Sequence, residues 1–209
     1  MIKIVVLASG RGTNLQAIID ACERGEIDGK VIAVISDRKD AFALQRARKH
    51  GIKDIFLNPK GLRREEYDKK LLEVLENLQP DLIVLAGYMR ILSPFVVRKY
   101  YGKIINIHPA LLPSFGGKGY YGERVHRAVL EYGCKVSGCT VHFVDEEVDH
   151  GPIIVQRCVP VMEDDTPETL AERILIEEHK ALVYAVKLFA EGRLRIEGRR
   201  VRILPEGEK

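Results

Sequence analysis

Four short runs of almost pure aliphatic residues, Ile2–Ala8, Val31–Ile35, Leu82–Ala86 and Ile104–Ile107, punctuate the first half of the chain. A strand is continuously apolar only when both of its faces are covered, which is the condition of strands inside a parallel sheet. Between these runs the apolar residues recur at helical spacing. Leu15, Ile18, Ile19 and Cys22 mark a helix over Asn14–Arg24, and a second covers Ala41–His50 and stops at Gly51. Arg64–Leu78 is charged and amphipathic and ends before Pro80, and Ser93–Tyr100 makes a fourth helix. A short strand is expected at Ile55–Leu57. Alternation of this kind predicts an α/β fold, with a mostly parallel central sheet and helices on both faces.

The rhythm changes after His108. A loop rich in Gly and Pro, Pro109–Gly122, leads to a helix over Arg124–Tyr132 and two longer strands, Val136–Val144 and Ile153–Pro160. The first of these strands shows in–out alternation. Thr166 then caps a long helix with Pro167 at its first position, and that helix runs to Gly192. The tail Leu194–Leu204 reads as a hairpin turning at Glu197–Gly198.

A chain of 209 residues, 46% hydrophobic, closes one core with room for a small appendage, so a single domain is expected over residues 1–192 with a hairpin tail over 193–209. No run approaches the ~20 apolar residues that a membrane span needs. The opening MIKIVVLA reads as a strand rather than a signal peptide, and a cytoplasmic location is expected. A net charge of +3, spread along the chain, suits small anionic ligands and forms no nucleic-acid stripe. Cys22, Cys134, Cys139 and Cys158 form no C-x-x-C pair, so buried free thiols are expected and no metal site.

Ligands of such a sheet sit beyond the carboxyl ends of its strands, and three segments fall there. Ser9–Gln16 joins the first strand to the first helix. Its glycines let the backbone approach an anion, and the helix N-terminus presents unpaired N–H groups. Leu15 stands where a dinucleotide fingerprint needs its third glycine, and no Lys-Ser/Thr pair ends the loop, so a single phosphate fits best. The same turn also serves as a plain strand-to-helix connection. In the second segment, a strand delivers Asn106 and His108 to one face, and Pro109 keeps His108 extended. An amide beside an imidazole can stabilise an oxyanion. The third, Val144–Pro152, is acidic. One carboxylate near His108 would hold the imidazole charged and help shuttle a proton. The residues leave open which of Asp145, Glu146, Glu147 and Asp149 does so. His50, His126, His142 and His179 read as structural.

Taken together, Ser9–Gln16, Arg64–Asp68, Leu85–Ser93, Asn106–Pro113 and Val141–Val144 resemble the phosphoribosylglycinamide formyltransferase family, over nearly the whole chain to about Leu194. The resemblance implies a Rossmann-like formyltransferase fold. It implies an N-terminal half that binds phosphate and a C-terminal half that binds folate and carries the chemistry. Gly12, Thr13 and Asn14 correspond to the phosphate cradle, and Glu178 to the acid that binds the glycinamide or ribose. Asn106, His108 and Asp149 match the family's catalytic trio, Asp149 being the acid two residues before Gly151-Pro152. Arg64, Met89, Arg90, Ile91 and Leu92 match folate-contacting positions. The implied reaction passes a formyl group from 10-formyltetrahydrofolate, as co-substrate, to the amine of phosphoribosylglycinamide in purine synthesis, without metal. The expected partners are these small molecules, with a homodimer allowed and no nucleic acid or membrane.

Gly116–Gly122 is longer than the Pro-Gly-x-His turn of many relatives, and its glycines suggest a mobile lid. His150 stands where a smaller residue is common and receives no role. Three other readings compete. Formyltetrahydrofolate deformylase shares a similar trio but normally carries an added N-terminal domain. Methionyl-tRNA formyltransferase needs an added C-terminal domain. Neither is expected to keep the Gly12–Asn14 loop. The last alternative is a non-catalytic nucleotide- or folate-binding protein on the same fold.

Overall fold

Ile4, Val5, Val6 and Leu7 have no exposed surface, as a strand covered on both faces requires, and they form most of β1 (Ile2–Leu7). The computed structural model describes residues 1–208. Contact density divides the chain into two units, Met1–Ile105 and the chain from Asn106 onward.

In the first unit β1 is followed by α1 (Thr13–Glu23), β2 (Gly29–Ser36), α2 (Phe42–Lys49), β3 (Lys53–Phe56), α3 (Arg64–Leu78), β4 (Leu82–Leu85) and α4 (Pro94–Lys99). Its strands lie in the order β3-β2-β1-β4 and every pair is parallel. α3 buries Tyr67, Leu71 and Leu75 at a spacing of four, which is the stripe its sequence predicts. Asp68 on the same face is buried and accepts the Ser93 N–H at 2.6 Å, fixing the start of α4.

β5 (Ile104–His108) carries the chain into the second unit. There follow α5 (Glu123–Tyr132), β6 (Val136–Phe143), β7 (Ile153–Pro160), α6 (Pro167–Ala190), β8 (Leu194–Glu197) and β9 (Arg200–Ile203). β6 and β7 are antiparallel, β9 joins β7 in parallel through Ile153 and Arg200, and β8 pairs back on β9. The fold class is therefore α/β with a mostly parallel sheet and a C-terminal antiparallel hairpin, as the sequence predicts.

Three local expectations are corrected. β6 does not alternate, because every residue from Ser137 to Phe143 is buried. α6 packs along the strand, with Glu178 close enough to Cys139 to perturb its thiol. The next residues in alternation face segment 110–112 instead, where the Leu111 side chain closes on Gly138 and Thr140 bonds Ala110. Of the four thiols only Cys139 is buried, and Cys158 is exposed on β7. The hairpin turn is Gly198-Arg199, one residue later than expected, since Glu197 still pairs with Arg200.

Candidate active site

Asn106 and His108 occupy alternate positions near the end of β5, so both side chains leave the strand on one side. The loop between β6 and β7 supplies Asp149, whose backbone is left-handed at φ 53°. Gly151 follows two residues later. A Cβ there would sit 1.7 Å from the Phe143 carbonyl oxygen, so only glycine lets the loop pass this close to the end of β6. The register of β6 on β7 also shifts between Val141 and His142, leaving Ile154 as an extra residue on β7. Bulges of this kind bend a strand and re-aim its side chains beside functional sites.

The result is a tight polar cluster. Asp149 Oδ2 lies 3.5 Å from His108 Nδ1, and both side chains are nearly buried. Asn106 Nδ2 donates to Asp149 Oδ1 at 3.4 Å. The three residues expected to form the trio are thus brought together. Two backbone groups of the glycine-rich segment join them. His108 Nε2 lies 2.8 Å from the Phe115 carbonyl oxygen, and since a carbonyl only accepts, Nε2 carries the proton. The Gly117 N–H donates to Asp149 Oδ2 at 3.0 Å.

His142, read from the sequence as structural, stands in the same cluster. Its Nε2 lies 3.1 Å from Asn106 Nδ2, and its Nδ1 lies 2.8 Å from the carbonyl oxygen of Phe143. Burial pushes its pKa down and the Phe143 carbonyl and Asp149 only partly oppose that, so the ring is neutral. His126 on α5 is also buried. Desolvation first, and the His108 charge second, push it down to about 4.

Segment 110–112, directly after His108-Pro109, is held by a buried knot. The Thr140 hydroxyl donates to the Ala110 carbonyl at 2.7 Å and accepts the Leu112 N–H at 3.1 Å. Gln156 Nε2 bonds both the Leu112 carbonyl and Thr140 Oγ1. Glu178 is buried on α6, and burial first, with that carboxylate second, pushes the Cys139 thiol up to about 12. His150 bridges Asp145 and Glu147 at the surface.

The first unit carries the remaining expected positions. Gly12 is left-handed at φ 74° and precedes α1, so Thr13 and Asn14 open the first helical turn, whose N–H groups have no partner within the helix ladder. A Cβ on Gly12 would lie 2.8 Å from the Cα and Cβ of Ala43. The loop is tied down on several sides. Ser9 Oγ donates to Asp37 Oδ1 at 2.6 Å and accepts the Met89 N–H at 2.9 Å. The Ala43 N–H and Arg46 Nε bond the carbonyls of Gly10 and Arg11. Arg64 spends its guanidinium on the carbonyls of Ile91 and Leu92, at 3.0 and 2.7 Å. Arg90 stacks on the Tyr67 ring. Met89 and Ile91 present exposed apolar side chains, whereas Leu92 is buried. All five expected folate positions belong to this first unit.

Sequence reasoning missed Asp37, Arg46, His142, Thr140, Gln156 and Phe115. Only His142 carried a usable signal, an imidazole on the strand beside the acidic loop. Among the described residues, no group of three or more His, Cys, Asp or Glu is placed to hold a metal ion, and no helix is long and apolar enough to cross a membrane.

A model of the formyl transferase family matches residues 2–186. The chain is 46% identical over 195 residues to phosphoribosylglycinamide formyltransferase of Escherichia coli (strain K12), covering 93% of this chain and 90% of that protein. Its structure resembles glycinamide ribonucleotide transformylase 1 from Symbiobacterium toebii, with a TM-score of 0.93 and 52% identity over 98% of this chain and 95% of the other. It also resembles a formyltetrahydrofolate deformylase from Pseudomonas syringae pv. tomato str. DC3000, with a TM-score of 0.89 but 27% identity, over 97% of this chain and 66% of that one.

Proposed function

We propose, since this chain belongs to the formyl transferase family, that it passes the formyl group of 10-formyltetrahydrofolate to the amine of 5-phosphoribosylglycinamide. The products are formylglycinamide ribonucleotide and tetrahydrofolate, in purine synthesis in the cytoplasm. The observation that carries the reading is the convergence of Asn106 and His108 on Asp149, at 3.4 and 3.5 Å.

The substrate amine attacks the formyl carbon and forms the new C–N bond while the carbonyl electron pair moves onto oxygen. The Asn106 amide and His108 Nε2–H donate to that oxygen. The same His108 N–H is bonded to the Phe115 carbonyl in the structure, so meeting the oxyanion exchanges one oxygen acceptor for another. Asp149 faces His108 Nδ1 and stabilises the imidazolium. It also relays the proton lost by the attacking amine to the departing folate nitrogen as the old C–N bond breaks. The N–H groups of the first turn of α1, after Gly12, cradle the ribonucleotide phosphate. Glu178 binds the glycinamide or ribose, and the exposed Met89 and Ile91 side chains give apolar contact to the folate ring. Arg64 holds the backbone that presents them.

The test is absorbance-monitored conversion of 10-formyl-5,8-dideazafolate with and without phosphoribosylglycinamide. Turnover that requires the ribonucleotide supports the transferase. Equal turnover without it makes the chain a hydrolase, and none in either case makes it a binding protein. Asn106→Ala is expected to lose ~10²–10³ in turnover, the usual cost of one oxyanion donor.

A further inference from the structure

The orientation of the Asn106 amide follows from His142, and this role rests on the reaction proposed above. The ring of His142 is buried at the end of β6, where α6 and segment 110–112 close over the strand's two faces. A backbone carbonyl accepts and never donates, so the 2.8 Å contact with the Phe143 oxygen places a hydrogen on Nδ1. In a neutral ring that leaves a bare lone pair on Nε2. This lone pair points at the Asn106 amide, 3.1 Å away. An amide oxygen there would meet it acceptor to acceptor, so only the NH₂ group can face it.

We propose that His142 is a positioning residue: its tautomer, set by the Phe143 carbonyl, fixes the Asn106 amide with Nδ2 toward the reacting centre. One amide N–H goes to His142. The other makes only the long, 3.4 Å contact with Asp149, and it is this one that the formyl oxygen captures as charge develops. Without His142 only the long contact with Asp149 opposes a half-turn of the amide, which would present its oxygen to the oxyanion and repel where it should donate. Gly151 and Pro152 complete the device from outside. The Pro152 carbonyl accepts the Phe143 N–H at 2.9 Å, and Gly151 packs against the Phe143 carbonyl that sets the tautomer.

The experiment is a double-mutant cycle on turnover with a spectroscopic readout beside it. His142→Leu is expected to lower kcat by roughly 10–10²-fold, the scale of a misplaced catalytic group. KM for the ribonucleotide should stay within about 3-fold, because its phosphate loop is untouched. In the Asn106→Ala background the same change should cost less than about 2-fold, because a residue that acts through Asn106 has nothing left to position. His142→Gln can accept from Asn106 and donate to the Phe143 carbonyl, so it should recover most of the loss. Losses that multiply in the double variant would overturn the proposal, since a purely structural role is additive. Imidazole ¹⁵N shifts of the wild-type protein provide a readout that needs no activity. An Nδ1–H tautomer supports the role even if the wild-type chain transfers no formyl group, the result that would refute the reaction alone. An Nε2–H tautomer refutes the positioning.

Discussion

Gly151→Ala tests how closely the loop that carries Asp149 is seated on the end of β6. An ordinary Cβ contact begins at 3.4 Å, and the new methyl would start 1.7 Å from the Phe143 oxygen, so loop and carbonyl must separate by half of an ordinary contact distance. Neither partner is free to move. The Phe143 N–H is bonded to the Pro152 carbonyl, and its oxygen is bonded to His142. The displacement is therefore passed to Asp149, two residues back. A shift of ~1 Å in a catalytic group costs ~10² in rate. The expected result is a kcat reduced by about 10²–10³-fold with the ribonucleotide KM within about 3-fold. Overpacking adds a stability loss of about 1–3 kcal/mol. The assay is steady-state turnover corrected for folded fraction by urea unfolding, with His150→Ala as the neighbour control. Among the described residues that side chain reaches Asp145, Glu147 and Arg199, and its loss should leave kcat within about 3-fold. A Gly151→Ala enzyme that turns over within a factor of three of the parent would refute the reasoning.

Further outcomes concern stability and the phosphate loop. Because His126 titrates near 4 when folded and near 6.5 when unfolded, the unfolded chain binds the extra proton first as pH falls. Its contribution is thus nil above about pH 7 and becomes destabilising between about 6.5 and 4, reaching on the order of 3 kcal/mol. His126→Gln should shrink the stability lost between pH 7 and pH 4.5 in urea titrations by about 2–3 kcal/mol; an unchanged difference would show that the imidazole is not held neutral. Thr140→Val strands the Ala110 carbonyl and the Leu112 N–H and should cost about 2–4 kcal/mol in the same assay, whereas Thr140→Ser should cost under about 1. Gly12→Ala meets Ala43 at 2.8 Å and adds left-handed strain of about 1–2 kcal/mol. It should raise the ribonucleotide KM more than about 10-fold while kcat at saturation changes little, and an unchanged KM would remove the phosphate from this loop.

Elements whose signal is local were legible before any coordinates. The bounds of α3 follow from its apolar spacing and from Pro80, and α6 begins where Thr166 and Pro167 say it should, with the Thr166 hydroxyl accepting the Thr169 N–H. The β6 pattern misled because alternation assumes one wet face, and here segment 110–112 returns to cover the side that α6 leaves open. Cys158 misled in the opposite sense, since an apolar neighbourhood in sequence does not bury a side chain on a strand such as β7. For the site, Asn106 and His108 came from strand periodicity and a terminal proline. The choice of Asp149 among four acids needed a family resemblance, because a left-handed aspartate leaves no compositional trace. His142 depends on a bulge and on a backbone carbonyl, and Phe115 acts through its carbonyl alone. Main-chain acceptors are identical in every residue, so no reading of side chains can single one out.

In the reaction proposed above, the Phe115 carbonyl gives the site a threshold. As an uncharged amide oxygen already seated on His108 Nε2, it is roughly the equal of an incoming formyl oxygen, also uncharged, and exchanging one for the other gains little. An oxygen that has taken on negative charge is a much stronger acceptor, about twice as strong by the usual difference between charged and neutral hydrogen bonds. The balance therefore tips only as the reaction proceeds. By keeping a rival of matched strength in its own backbone, the protein cancels part of the favourable interaction with the ground state and leaves intact the part that develops on the way to the tetrahedral species.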